Sequence, residues 1–206
     1  MQHTSIIPGK ALLGLAMLAG AVLSSAQFSS AEAASAQMQT GARTSQPIGH
    51  AVFCQQLPEE CAVRNTVTKA PTLTRKRWAD LIAVNNYANT AVKPVTDMEY
   101  YGVEEHWTYP KSYGDCEDYV LLKRYMLMQR GWPASSLLIT VVKQSNGEGH
   151  AVLTVRTDRG DYVLDNLEGK VKAWNKTGYR YLKRQSVRHT GRWTNIRDGR
   201  HQVASY

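Results

Sequence analysis

The spacing of apolar residues changes along the chain and predicts helices in its first half and strands in its second. Between Leu73 and Val92, apolar residues recur at intervals of three and four, and the stretch ends just before Pro94, which predicts an amphipathic helix. A second helix is predicted from Asp115, the candidate N-cap, to the stop signal at Gly131.

Beyond Gly131 the apolar pattern is that of extended chain. Three runs rich in β-branched and apolar residues lie at 137–142, 150–155 and 161–167, separated by turns that contain glycine, and 179–186 is a candidate fourth strand. Because the helices precede an antiparallel meander, we predict an α+β fold with N-terminal helices packed on an antiparallel sheet.

Residues 11–23 form a different kind of apolar segment, which carries no charge and shows no helical period. The segment is too short to span a bilayer as a helix, which takes about 20 residues, but it has the length of a signal-peptide core. The small residues at 34–36 (ASA) fit an A-x-A cleavage site, and Ala26 is the alternative. We therefore predict a signal peptide over residues 1–36, a periplasmic location and no transmembrane span in the mature chain.

Composition indicates one globular domain after the signal peptide. The chain has 206 residues, of which 43% are hydrophobic and 20% are charged. We predict a disordered leader at 37–48, the folded domain at 49–193 and a basic flexible tail at 194–206. The formal net charge of +8 is concentrated after Lys170, and for an exported protein we predict that this basic region does not bind nucleic acid.

Export changes the meaning of the three cysteines, because disulfides persist outside the cytoplasm. Cys54 and Cys61 flank a short segment that contains Pro58, and a turn there closes them into a small disulfide loop. Cys116 is then left over. The pattern leaves three alternatives for it: an intermolecular disulfide, an inert buried thiol or a reactive thiol.

Cys116 is the cysteine with catalytic potential. It lies in the sequence GDCEDYV, in the first turn of the second predicted helix, where the helix dipole favours a thiolate. His150 begins a strand directly after a glycine-rich turn and is the candidate base. The predicted strands at 150–155 and 161–167 form a hairpin. If its loop has two or four residues, Val152 lies opposite Asp165, and His150 is then a diagonal neighbour of Asp165 on the same face of the sheet. A three-residue loop would place the two on opposite faces. The set Cys116, His150 and Asp165 predicts acyl transfer through a thioester.

Several stretches of the chain resemble one known family. They include GHAVFCQQLPEEC, GDCEDYVLLKR and GEGHAVLTVRTDRGDYVLDNL, and together the similar stretches cover nearly all of the chain from Gly49 to about Trp193. The family is that of the bacterial transglutaminase-like cysteine proteinases, which includes the LapG-type periplasmic proteases. The resemblance implies a papain-like, transglutaminase-type core, and it places the catalytic triad at Cys116, His150 and Asp165.

The resemblance also implies a calcium site beside the cysteine. In LapG-type members the acids that flank the cysteine bind Ca²⁺, and the matching residues here are Asp115, Glu117 and Asp118. Carboxylates beside a thiol raise its pKa unless a cation offsets them, and their hard oxygens suit Ca²⁺. The alternative is that these acids only cap the helix, with one of them paired with Lys123 or Arg124.

The residues and the resemblance together predict an exported, calcium-dependent cysteine endopeptidase that cleaves a protein substrate. LapG-type members imply two partners: a cell-surface adhesin as substrate and a membrane-anchored regulatory protein, for which Trp132 and Trp193 are candidate exposed anchors. The same triad also serves a protein transglutaminase or amidase, in which an amine can take the place of water. A catalytically silent binding module on this scaffold is the third alternative, and a missing triad member would be its mark.

Overall fold

The computed structural model describes Met1, residues 36–66 and residues 68–198. Apart from Met1 and residue 36, the predicted signal peptide lies outside the described residues, as do Ala26 and the end of the predicted tail, so these remain predictions. In the described part of the chain, no helix has both the length and the apolar character needed to cross a membrane.

The described residues contain five α-helices: α1 Ile48–Gln56, α2 Pro58–Cys61, α3 Arg75–Ala91, α4 Asp97–Tyr101 and α5 Cys116–Gln129. The two predicted helices are confirmed as α3 and α5. The hydroxyl of Thr74 accepts a hydrogen bond from the N–H of Arg77 and caps α3. Asp115 occupies the N-cap position of α5 without a side-chain capping bond, and Gly131 follows its end in the left-handed region, with φ of 79°.

Nine strands are described, and seven of them form one antiparallel sheet in the order β1-β9-β8-β4-β5-β6-β7. Strands β2 and β3 form a separate parallel pair. Their bounds are β1 Thr40–Thr44, β2 Lys93–Pro94, β3 Tyr113–Gly114, β4 Leu137–Lys143, β5 Gly149–Thr157, β6 Gly160–Leu164, β7 Lys172–Ala173, β8 Arg180–Ser186 and β9 His189–Ile196. Short 3₁₀ helices lie at Ala134–Ser136 and Trp174–Lys176. The structure therefore confirms the α+β class.

Two domain boundaries differ from the prediction. Residues 40–44 of the predicted disordered leader form β1, which pairs with β9, and Met38 just before it is buried in the core. Residues 194–196 of the predicted tail belong to β9, and Ile196 is buried. Strand β1 escaped the sequence pattern because it is an edge strand whose side chains are at most half-buried, so it shows no apolar alternation.

The sheet is covered on both faces, which explains why the inner strand β5 is buried almost throughout. On one face α5 packs against β5 and β4, with α3 beside it. Leu121, Leu127 and Leu153 are buried there. On the other face Val152 packs with Val142, Trp174, Tyr181 and Met38. A strand that is buried on both faces reads as a continuous apolar run rather than as an alternating one.

The β5–β6 hairpin has the predicted register. Leu153 lies opposite Leu164, and Thr157 lies opposite Gly160 across a two-residue loop. Strand β6 ends at Leu164, so Asp165 lies one residue beyond the strand instead of within it.

The cysteines follow the prediction, whereas two tryptophans do not. Cys54 and Cys61 form a disulfide with Cα atoms 5.5 Å apart, and Cys116 is free. Trp132 and Trp193 are only 3% and 1% exposed, so the prediction that they are exposed anchors is wrong. Both rings belong to the main hydrophobic core.

Candidate active site

Helix α5 and strand β5 meet at Cys116, the first residue of the helix. The Sγ atom accepts a hydrogen bond from the backbone N–H of Ala151 at 3.3 Å, and the thiol donates to Oε2 of Glu117 at 3.2 Å. Ala151 directly follows His150, so this contact places the sulfur beside the residue that carries the imidazole. Cys116 and His150 both line one open cleft.

His150 is bound to Asp165, as the register predicted. The distance from His150 Nε2 to Asp165 Oδ1 is 2.8 Å, and both side chains are 3% exposed. Because Nε2 is engaged by the carboxylate, Nδ1 is the ring nitrogen that remains to accept a proton from the thiol. The structure thus brings His150 and Asp165 into contact and places the Cys116 sulfur at the neighbouring residue.

Asp165 is held on all sides although it lies beyond the end of β6. Two asparagines of α3 hold its backbone: Asn85 Oδ1 accepts from the Asp165 N–H at 3.1 Å, and Asn89 Nδ2 donates to its carbonyl at 2.8 Å. The Tyr179 hydroxyl donates to Oδ2 at 2.5 Å. Burial acts to raise the pKa of Asp165, but the bonds from His150 and Tyr179 outweigh it, so the pKa lies below its ordinary value.

The side chains that hold Asp165 form no motif in the linear sequence, and neither α3 asparagine nor Tyr179 was predicted to belong to the site. Asn85 lies on the apolar stripe of the predicted helix, which is the signal that it faces inward. The sequence pattern marks Tyr179 only as the start of a candidate strand.

A group of three carboxylates lies on the other side of Cys116. Oxygens of Asp97, Asp115 and Glu117 all lie within 4.8 Å of one another. Asp97, on α4, was not predicted from the sequence. The one available signal was the capping box formed by Thr96 and Glu99, which predicts a helix with Asp97 in its first turn but does not connect that helix to Cys116.

Asp118, the third predicted metal ligand, is not a member of this group. Its Oδ1 accepts a hydrogen bond from the backbone N–H of Thr108 at 2.8 Å, and its carboxylate packs against Gly114 so closely that a Cβ there would lie 2.6 Å from it. Burial raises the pKa of Asp118 to about 8. The structure therefore replaces Asp118 by Asp97 in the group of closely spaced carboxylates.

Burial, together with the carboxylates of Glu117 and Asp115, makes the start of α5 strongly unfavourable for a thiolate. Burial, followed by the hydrogen bond and charge of Asp115, raises the pKa of Glu117 to about 10. Burial, followed by the charge of Glu117, raises the pKa of the Cys116 thiol well above its ordinary value. Oδ1 of Asp115 is buried and has no hydrogen-bond partner among the described residues.

The alternative role for these acids, helix capping with a basic partner on the same helix, is not what the structure shows. Asp115 makes no side-chain capping bond. Arg124 pairs with Glu60 at 3.3 Å. Lys123 is fully buried with its Nζ 5.7 Å from the centre of the Tyr119 ring, and that atom has no hydrogen-bond partner in the described part of the chain.

The chain matches one protein family over residues 40–201, and the family is described as bacterial transglutaminase-like cysteine proteinase, BTLCP. The chain belongs to this family. It is therefore a cysteine peptidase, and its substrate is a protein. None of the curated proteins compared matches the chain.

Solved structures of Legionella pneumophila LapG are similar to this BTLCP protein. One is 26% identical with a TM-score of 0.46, and it covers 57% of this chain and 68% of that chain. An EGTA-treated form is 25% identical with a TM-score of 0.48, covering 60% and 72%. A calcium-bound form is 23% identical with a TM-score of 0.38, covering 52% and 64%.

Proposed function

We propose that this BTLCP protein is an exported endopeptidase in which Cys116, His150 and Asp165 hydrolyse a peptide bond of a protein substrate. The observation that carries the proposal is the 2.8 Å bond between His150 Nε2 and Asp165, next to a free cysteine whose sulfur is bound by the N–H of Ala151. No other described cysteine is a free thiol.

Each residue has a separate task in the proposed reaction. His150 Nδ1 takes the proton of the Cys116 thiol, and the sulfur attacks the carbonyl carbon of the scissile amide. The backbone N–H of Cys116, at the first position of α5, has no acceptor within the helix and is a donor for the oxyanion. His150 then gives the proton to the leaving amine, and water hydrolyses the thioester with His150 again as base. Asp165 holds the imidazole and stabilises its positive charge.

Comparison of the exported proteome of a strain that carries wild-type protein with one that carries Cys116→Ala tests this function. We expect new N-termini with wild type and none of them with Cys116→Ala. Incubation with a labelled amine and a glutamine-containing protein separates the alternatives. Incorporated amine without new N-termini contradicts the peptidase and indicates a transglutaminase. Identical results with Cys116→Ala and wild type indicate a silent binding module.

Binding of Ca²⁺ by Asp97, Asp115 and Glu117 is part of the proposal. Three carboxylates this close, with one buried oxygen that lacks a partner among the described residues, fit a hard divalent cation. When bound, Ca²⁺ supplies positive charge that offsets the acids beside the thiol. Asp118 stays in the proposal only as an outer residue, which orients the start of α5 through Thr108.

Alkylation of Cys116 by iodoacetamide tests the calcium site without any substrate. We expect faster alkylation in Ca²⁺ than in chelator, and a higher urea midpoint of unfolding in Ca²⁺. The Cys116→Ala protein is the control for labelling at other sites. Equal alkylation rates together with equal midpoints contradict a calcium site.

Export and the natural substrate rest on the sequence and on the family resemblance. We propose a periplasmic protein that releases a surface adhesin and is held in check by a membrane-anchored regulatory protein. Loss of the adhesin from the cell surface should depend on Cys116. An adhesin that is retained equally by wild-type and Cys116→Ala cells contradicts this substrate while leaving the peptidase proposal to the proteome comparison.

The structure bears on the two candidate cleavage sites of the signal peptide. The carbonyl of Ala36 accepts hydrogen bonds from the N–H of Asp161 at 2.9 Å and from Nε1 of Trp174 at 3.1 Å. Cleavage after Ala36 would remove this acceptor, so these bonds favour cleavage at Ala26. N-terminal sequencing of the exported protein distinguishes the two sites, and a mature chain that begins at Gln37 contradicts this choice.

A further inference from the structure

Tyr179 lies behind the catalytic set, on the side of Asp165 away from the cleft. Its hydroxyl donates to Asp165 Oδ2 at 2.5 Å, whereas His150 binds the other oxygen, Oδ1. The Tyr179 ring also lies against the His150 ring, with centroids 5.6 Å apart and planes inclined at 56°. Tyr179 therefore contacts both the proposed base, His150, and the residue that orients it, Asp165.

The carboxylate of Asp165 needs such a contact, because the residue lies past the last paired residue of β6. The N–H of Leu167 and Nε2 of His150 bind Oδ1. Tyr179 is the donor that the structure places on Oδ2. With both oxygens bound, the carboxylate cannot turn about its side-chain bonds without breaking a hydrogen bond to a charged group, which is stronger than a neutral one.

Tyr179 and Asp165 both line a surface cavity of about 150 Å³, whose lining also includes Val163 and Thr177. Removal of the whole ring would enlarge this cavity beside Asp165, whereas replacement by phenylalanine would keep the ring in place and remove only the hydroxyl.

We propose that Tyr179 is a positioning residue of this enzyme, whose hydroxyl fixes the Asp165 carboxylate so that His150 keeps Nδ1 directed at Cys116. The proposal rests on the proposed peptidase function, and Tyr179 acts through Asp165 without touching the reacting atoms. The Tyr179 hydroxyl binds Oδ2 of Asp165, and Oδ1 of Asp165 in turn binds Nε2 of His150.

Tyr179→Phe tests this role, with Tyr181→Phe as the matched control. Tyr181 is a buried neighbour in β8 whose hydroxyl bonds to Thr177 at 3.0 Å. We expect Tyr179→Phe to lower kcat/KM by about 10-fold, and Tyr181→Phe to leave it within about twofold of wild type. Both variants should unfold at similar urea concentrations.

The NMR signal of the proton that His150 Nε2 shares with Asp165 gives a readout that a purely structural role would not move. Without the tyrosine hydroxyl, Oδ2 of Asp165 loses its hydrogen bond, so the carboxylate turns more freely and the bond between Oδ1 and Nε2 weakens. We therefore expect this signal to move upfield in Tyr179→Phe and to keep its wild-type position in Tyr181→Phe.

The outcomes separate this inference from the peptidase proposal. An active wild type with Tyr179→Phe indistinguishable from Tyr181→Phe overturns the role of Tyr179 alone. Lower activity with an unchanged His150 proton signal overturns it as well. An inactive wild type in which Tyr179→Phe still shifts the His150 proton signal supports the positioning bond and overturns the peptidase.

Discussion

The two sides of Cys116 differ in how completely the oxygens of their carboxylates, Asp165 and Asp115, are hydrogen-bonded. On the His–Asp side, both carboxylate oxygens of Asp165 accept hydrogen bonds, and two asparagines hold its backbone. On the acidic side, oxygens of Asp97, Asp115 and Glu117 crowd within 4.8 Å, and a buried oxygen of Asp115 has no partner among the described residues.

The folded chain by itself therefore positions the His–Asp side of the site, whereas the acidic side has no positive charge to balance its carboxylates among the residues that form it. On the His–Asp side, His150 and Tyr179 bind both oxygens of the carboxylate. The acidic side concentrates negative charge at the start of α5, which opposes the thiolate. In the proposed enzyme, the positions of His150 and Asp165 therefore do not depend on an ion, whereas the net charge of the acidic side depends on whether Ca²⁺ is bound.

Among the predicted changes, loss of the negative charge of Asp165 should have the largest effect, and that effect is on kcat/KM. Asp165→Asn nearly keeps the shape of the side chain but removes the charge that stabilises the imidazolium, so we expect kcat/KM to fall by about 10³-fold or more. Cleavage of a protein substrate measures this. Asp80→Asn, a control on α3 far from the thiol in sequence, should stay near wild type, and a loss below tenfold for Asp165→Asn contradicts the triad.

Removal of one carboxylate from the acidic side should weaken ion binding more than it weakens the fold. We expect Asp97→Asn to raise the Kd for Ca²⁺ by about 10- to 100-fold, as calorimetry can measure. In chelator the variant should be at least as stable as wild type, because a neutral amide replaces a buried carboxylate that lies beside the charge of Asp115. The exposed Glu104→Gln is the control. An unchanged Kd in Asp97→Asn would remove this residue from the site.

Lys123 is a buried cation that faces the His–Asp side instead of the acids. Burial lowers its pKa to about 7, although the charge of Asp165 acts in the opposite direction. In the folded protein Lys123 loses its proton near pH 7, whereas in the unfolded chain it keeps the proton up to the ordinary lysine pKa. The free-energy cost of burying the charge is therefore greatest below pH 7, and it disappears as the pH rises to the ordinary lysine pKa. We expect Lys123→Met to stabilise the protein by about 2 kcal/mol at pH 6.

Urea unfolding at pH 6 and at pH 9 tests this sign. The gain from Lys123→Met should shrink at pH 9, whereas the exposed Lys76→Met should change stability little at either pH. A gain that is equal at both pH values contradicts a buried charge at Lys123.

The smallest effect is expected from the cap of α4, the helix that carries Asp97. Thr96→Ala removes the capping box and should cost about 1 kcal/mol of stability, with a Ca²⁺ affinity reduced by about fivefold. Thr74→Ala removes the cap of α3, which carries none of the three acids, and should cost similar stability at unchanged Ca²⁺ affinity. Equal Ca²⁺ affinities in the two variants contradict a role for α4 in the acidic side.

Local sequence patterns predicted much of the fold, and the features that they did not predict were missed for physical reasons. The predicted β5–β6 register was confirmed because a two-residue loop leaves few alternatives. Strand β1 was missed because half-exposed edge strands need no apolar alternation. Asp97 was missed because its short helix lies far from Cys116 in sequence, and nothing local indicates which distant side chains meet.

The sequence by itself determined the α+β class, because helix caps, turn residues and strand patterns act over short distances. It allowed the disulfide and the meeting of His150 with Asp165, but the second of these depended on the two-residue loop that the structure then showed. Only the tertiary structure decided which acids stand together. Asp115 precedes α5 with extended φ and ψ, whereas Glu117 and Asp118 are successive residues of the helix and point about 100° apart, so those two acids face different neighbours. The packing of α5 on β5 set its rotation, and that rotation excluded Asp118 from the group that Asp97 completes.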